Sequence, residues 1–270
     1  KELVLQIAAL HKIGLNDPWL VYVDADEKDS TRHILRFRQS GLTLPNRDYY
    51  LEDNEKMQHV RDEYKKHAGE IFNYFPELDT SLTDLWEKSW DTEYALARNS
   101  RSKVDLRDVE NNYNLMPVQE IANKYPNLFI NEYLDELGVK NIEVASVDQP
   151  EFFEDLNNRF RDEYLGIWKT YLKWQVVMSL YGYVSEKFTK LRFEFFGRVL
   201  NGTKEIMPIW KRVVLALDDA IGEGVGRLYA EKHFPETSKK EVLSLVENVR
   251  DAYEERINAL DWMSDETKAY

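Results

Sequence analysis

The side chains best suited to chemistry are few in this chain of 270 residues, and they are scattered. His59, Glu63 and His67 stand at i, i+4 and i+8 of a helical stretch, and residues four apart on one helix face can share a metal ion. Three ligands spread over two turns reach past a single ion, so the column reads as a wet helix flank. The remaining histidines form no pair with metal or triad spacing. Asp24, Asp26 and Asp29, within DADEKDST, have the acidic rhythm of a calcium loop. That run lacks the loop's central glycine and its closing acidic residue, so a solvated turn is the better reading. Asp218 and Asp219 adjoin each other, and Asp219, Glu223, Arg227 and Glu231 form an i,i+4 ladder. Such ladders belong to polar helix faces and are worth a few tenths of a kcal/mol per opposite-charge pair. There is no cysteine, hence no thiolate chemistry and no disulfide. We therefore assign no catalytic, cofactor-binding or metal-binding residue to this sequence.

The elements that could position such groups are mostly helical. Residues 2–13 read as a short helix ending near Gly14. Trp19–Asp24 and His33–Arg38 are β-rich and joined by the polar run, which predicts one hairpin. GLTLPNRDYYL follows as an extended, then turning connector. A helix over 52–75 places Met57, Val60, Tyr64, Ala68, Ile71, Phe72 and Phe75 on one face. Pro76–Thr80 breaks the chain, and Ser81 with Asp84 starts a helix to about Arg98 bearing Leu82, Leu85, Trp86 and Trp90. Residues 100–138, punctuated by Pro117, Pro126 and Gly138, read as a bent helical connector, and 142–147 as a brief strand. The stretch 139–150 is the weak candidate for a sub-domain seam. Beyond Pro150 the pattern is almost unbroken helix, over 151–182, 184–200, 208–232 and 239–260. Ser238 and Glu241 suggest a capping box for the last of these. The fold class expected is mainly α, a large multi-helix lobe with one small β-hairpin near the N-terminus.

One stretch, 193–233, looks like the organiser. Trp210, Val213, Val214, Leu217, Ile221, Val225 and Leu228 keep one helical face apolar. Gly222, Gly224 and Gly226 interrupt that helix, each at a cost of about 1 kcal/mol against Ala. The expectation is that another helix lies close against Gly224, which falls on the apolar stripe.

Composition narrows the partners. The net charge of −13 repels phosphate backbones and anionic lipid surfaces, so nucleic-acid binding is disfavoured. No run of 18 apolar residues exists, so no membrane span is expected. Aromatics at 13% suit a helical protein whose inter-helix spaces are filled by rings. Both ends suggest a fragment: Lys1 is not Met, and Ser264 with Asp265 and Glu266 opens a helix near the last residue.

Seven blocks carry a resemblance: QSGLTLPNRDYYL, LRDVENNYNLM, QPEFFEDLN, YLKWQVV, FEFFGRVLNGTKEIMPIWKRVV, AIGEGVGRLYAEKHF and LDWMSDETKA. In this order and spacing they are similar to the N-terminal half of the neprilysin family of zinc metallopeptidases, which includes bacterial oligopeptidases of the endopeptidase O type. Thr43 stands where that family usually has Gly. The family's zinc motif, His-Glu-x-x-His, lies downstream of the matched half.

The resemblance implies a non-catalytic lobe that caps the zinc site and restricts substrates to small peptides. It implies zinc in the parent protein and none bound by this chain, with the downstream catalytic domain and small peptides as partners. The family's substrate-gripping arginine falls upstream of Lys1, so no substrate residue carries over. The lack of cysteine departs from the disulfide-bonded animal ectodomains and suggests a prokaryotic source, secreted, lipid-anchored or cytoplasmic. The rival reading is a helical scaffold or peptide-binding module with no peptidase activity.

Overall fold

A computed structural model describes residues 1–15, 17–74 and 82–269, with backbone alone for 82–85. The break expected at Pro76–Thr80, the capping by Ser81 and Asp84, and the packing of Phe75, Leu82 and Leu85 lie outside the described residues. In chain order the elements are α1 (Glu2–Lys12), β1 (Trp19–Asp26), β2 (Asp29–Gln39), α2 (Asp48–Leu51), α3 (Glu55–Phe72) and α4 (Leu82–Asn99). There follow β3 (Leu115–Pro117), α5 (Val118–Lys124), α6 (Ile130–Leu137), β4 (Val144–Val147), α7 (Pro150–Arg159), α8 (Leu165–Leu180) and α9 (Glu186–Arg192). A π-helix, Phe193–Leu200, precedes α10 (Ile209–His233), α11 (Glu236–Asn258) and α12 (Asp265–Lys268). The fold is mainly α.

The sheet is larger than the sequence suggests. β1 and β2 form the expected antiparallel hairpin, but they run on to Asp26 and Asp29, leaving only Glu27 and Lys28 in the turn. β2 then pairs in parallel with β4, Phe37 opposite Val147, and β4 pairs antiparallel with β3, Met116 opposite Ala145. The result is a mixed sheet of order β1-β2-β4-β3. Strands of three or four residues have too little periodicity to announce themselves. They are specified by a neighbour that offers free backbone groups.

The chain divides into two compact units, Lys1–Ile206 and Met207–Tyr270. The expected seam at 139–150 is thus misplaced, because β4 is a central strand of the first unit. That unit has two cores. One gathers Val4, Ile7, Trp19, Phe37, Tyr133, Phe153 and Trp168 between α1, the sheet and α6–α8. The other gathers Tyr50, Tyr64, Phe72, Trp174, Tyr181 and Phe195 between α2, α3, α8 and the π-helix. α4 and α8 serve both: Leu96 and Tyr171 face the first core, Ala97 and Trp174 the second. The single helix expected over 151–182 is broken between Phe160 and Leu165, where the chain turns so that the Trp168 indole can donate to the Arg159 carbonyl at 2.8 Å.

The second unit corrects the larger expectation about 193–233. Among the described residues none in α10, α11 or α12 is buried. Trp210, Val213, Val214, Leu217, Ile221, Val225 and Leu228 are all exposed. α10 also departs from helical geometry at Ile221 (φ −142°, ψ 30°), beside Gly222. No neighbour stands within 4 Å of a Cβ built on Gly224 or Gly226. Periodicity marked a face that wants covering; it could not say that α11 and α12 leave that face exposed. The capping box is also absent, since α11 begins at Glu236 after Pro235 with no side-chain cap, whereas Ser264 does accept from the Thr267 amide at 3.3 Å.

Candidate docking surfaces

The histidine column comes apart in the structure. His59 is exposed and Glu63 approaches Lys66 at 3.6 Å. His67 is buried, contrary to the wet flank expected: its Nε2 lies 2.9 Å from the Tyr181 hydroxyl and its ring stacks on Phe195 at 5.1 Å. Burial, with the Arg192 charge adding to it, pushes its pKa down to about 4. His67 is three residues beyond Tyr64 and seven beyond Val60, on the buried stripe of α3, and that spacing could have revealed it.

The acidic run is exposed at Asp24, Glu27, Lys28 and Asp29, as a solvated turn should be, but not at Asp26. Asp26 is 1% exposed and accepts from the Lys28 amide at 2.8 Å, Arg32 Nε at 2.7 Å and the Tyr113 hydroxyl at 3.2 Å. Burial alone would raise its pKa, but these donors outweigh that and hold it low. Asp24 accepts from the Ala25 amide and Asp29 from Thr31, while Arg32, which pairs with Asp26, also stands 3.9 Å from Asp29. Within the ladder of α10, Arg227 and Glu231 pair at 3.0 Å in solvent. Among the described residues no three His, Cys, Asp or Glu are grouped to hold a metal ion. The donor set of the described residues does not fit zinc.

Two buried polar clusters were not foreseen. Arg36 and Asp148, 3% and 2% exposed, pair at 2.9 Å and tie β2 to the residue after β4. Arg36 also reaches Glu27 and, at 3.1 Å, the Asn112 carbonyl. Glu93 on α4, 0% exposed, is ringed by Thr43, Tyr50, Tyr64 and Gln175. It lies on the Trp86–Trp90 stripe at i+7 and i+3, the one signal that could have marked it.

What the chain presents outward is apolar surface. In the first unit, α1 and α8 flank a cleft of about 1080 Å³. Leu3, Leu10, Phe129, Phe160, Leu172 and Val176 line it, with Lys169 and Lys173 on its rim. In the second unit α10 carries its uncovered stripe, and α11 exposes Val242, Leu245, Val246, Val249 and Tyr253 at helical spacing. Contiguous patches of this kind mark contact surfaces.

These features define a mainly α-helical lobe with uncovered apolar faces and no hydrolytic constellation among its described residues. The chain belongs to peptidase family M13, whose N-terminal family model matches residues 1–270. It is 28% identical over 255 residues to endothelin-converting enzyme 1 of Cavia porcellus, covering 92% of this chain and 33% of that protein. It is 26% identical over 275 residues to neprilysin-11 of Caenorhabditis elegans, covering 95% and 32%. The chain thus spans about a third of the length of these relatives. Among solved structures it superposes on the Mycobacterium tuberculosis zinc metalloprotease Zmp1 in complex with an inhibitor with a TM-score of 0.87 at 27% identity, covering 99% of this chain and 40% of that one. PepO from Lactobacillus rhamnosis shares the fold, with a TM-score of 0.81 at 17% identity, covering 99% and 42%.

Proposed function

We propose that this chain is the non-catalytic capping lobe of a zinc endopeptidase that hydrolyses small peptides. The observation that carries the reading is the family match along residues 1–270 of a chain about a third as long as its relatives. Zinc-dependent peptide hydrolysis needs three protein ligands, an open coordination position and a base beside the bound water. In this reading a downstream domain of the same polypeptide supplies all of these. The lobe encloses the space above them, admits short peptides, excludes folded proteins and keeps bulk water from the reacting bond.

The uncovered stripes of α10 and α11 support the reading. Fully burying a Val, Leu or Ile side chain is worth about 1.5–3 kcal/mol, so a domain seated on these helices gains substantially from covering them. The net charge of −13 would make the lobe a poor host for strongly acidic peptides.

The test is a ladder of quenched peptides presented to the complete polypeptide, together with a folded protein that displays the same cleavable bond in a surface loop. Cleavage of the short peptides and sparing of the folded protein is the expected result. Equal cleavage of both would remove the size-restricting role.

A further inference from the structure

The environment of Glu93 is unusual in what surrounds it. Every group that touches its carboxyl is an uncharged donor. The Tyr50 hydroxyl accepts from the Leu44 amide at 2.9 Å, so its own proton is free for Glu93 Oε2 at 2.7 Å. The Tyr64 hydroxyl accepts from Trp174 Nε1 at 3.0 Å and donates to Glu93 at 3.2–3.3 Å. Gln175 Nε2 donates to Oε1 at 3.0 Å, and Thr43 Oγ1 to the same oxygen at 2.7 Å. Among the described residues no lysine or arginine pairs with this carboxylate. Asp17, on the loop before β1, adds a second negative charge nearby, and Tyr171 of α8 feels the field of both acids. Thr43 can reverse, because its hydroxyl also lies 3.5 Å from Gln175 Oε1.

We propose that Glu93 and Thr43 form a proton-operated latch across the seam between the two cores of the first unit. With Glu93 ionised, Thr43 donates to Oε1. When Glu93 takes up a proton on Oε1, it becomes the donor to Thr43 Oγ1, and Thr43 turns its own hydrogen to Gln175 Oε1. Both tyrosines keep donating throughout, so the proton is accommodated without an orphaned polar group. The latch sits where α4 and α8 serve both cores, and it ties the 40–51 connector and α3 to them.

Burial raises the Glu93 carboxyl to about 7, with the hydrogen bonds from Thr43, Tyr50 and Tyr64 opposing that and the Asp17 charge reinforcing it. A raised carboxyl makes the cluster most stabilising in acid: the folded chain holds a proton that the unfolded chain has lost. Its contribution is complete below the unfolded value of about 4.5 and is lost as pH rises through about 7. The seam therefore loosens as the pH passes from mildly acidic to neutral.

The test compares urea unfolding of the purified chain with that of Glu93→Gln, whose amide mimics the protonated acid. The folding constant of wild type relative to Glu93→Gln should fall about tenfold per pH unit from about pH 5 to pH 7, then level off. The ratio cancels the titration of His67, and carrying Asp17→Asn in both chains removes the one acid whose charge couples to Glu93. A ratio independent of pH overturns the proposal. Infrared difference spectra of the wild type, which do not depend on the variant folding, should show a buried carboxylic acid disappearing between about pH 6 and pH 8. Thr43→Val removes a donor to the ionised form and should move that midpoint upward. Absence of the acid band, or a midpoint unmoved by Thr43→Val, overturns the latch as well.

Discussion

The Tyr171 hydroxyl donates to the Gly41 carbonyl at 2.8 Å and fills the space a Gly41 side chain would need, 2.6 Å from a Cβ built there. Gly41 has φ +91°, and Leu96 and the Pro18 backbone close the remaining sides. Left-handed strain and overpacking therefore act together. Gly41→Ala should cost roughly 2–4 kcal/mol, read as a lower urea midpoint with an unchanged slope.

Gly224 should behave in the opposite way. It lies in a helix with open space around it, so Gly224→Ala should stabilise the chain by up to about 1 kcal/mol. Gly224→Leu should be tolerated by this chain alone, where a close-packed neighbour would have forbidden it. In a polypeptide that includes the proposed catalytic domain, the same leucine should weaken docking if that domain covers the stripe. A thermal melt of each variant in both polypeptides separates the two effects.

Arg36 and Asp148 are a buried ion pair, and without Asp148 the Arg36 guanidinium keeps Glu27 and the Asn112 carbonyl but loses its buried counter-charge. Asp148→Ala should cost about 3–5 kcal/mol, whereas Arg36→Met with Asp148→Leu should recover much of that. A double-mutant cycle by urea unfolding checks both. Similar stability for the single and double variants would mean that the pair does not hold β2 against the end of β4.

His67 predicts an acid limb. Its folded pKa of about 4 lies below the ordinary 6.5, so the unfolded chain takes up a proton that the folded chain refuses. The stability it contributes is present above about pH 6.5 and lost as pH falls to about 4, amounting to roughly 3 kcal/mol. His67→Gln should flatten that limb in acid-unfolding curves. An unchanged limb would show that His67 is not the group responsible.

Much of the first unit was legible because its helices bury one face in their own unit. The stripes Val60–Tyr64–Ala68–Ile71 and Trp86–Trp90 pack on the second core as their spacing implies. The short strands β3 and β4 were not fully legible, since their pairing is decided by β2 rather than by their own residues. His67 and Glu93 were missed for a common reason: polar residues on an apolar stripe look like interruptions until their partners are in place, Tyr181 and Phe195 for His67, Gln175 and the 40–51 connector for Glu93. α10 shows the converse, a stripe read correctly from spacing and wrongly assigned an occupant within this chain. No local pattern in the sequence distinguishes a face covered by its own unit from one left for another body.

The account rests most directly on where the zinc chemistry resides. The measurement is zinc content after dialysis, together with chelator-sensitive cleavage of a quenched peptide, for the purified chain and for a longer polypeptide that includes the proposed catalytic domain. The account predicts neither zinc nor cleavage for the chain alone, and stoichiometric zinc with cleavage for the longer polypeptide. Chelator-sensitive cleavage by residues 1–270 alone, or a longer polypeptide that binds no zinc, would contradict it.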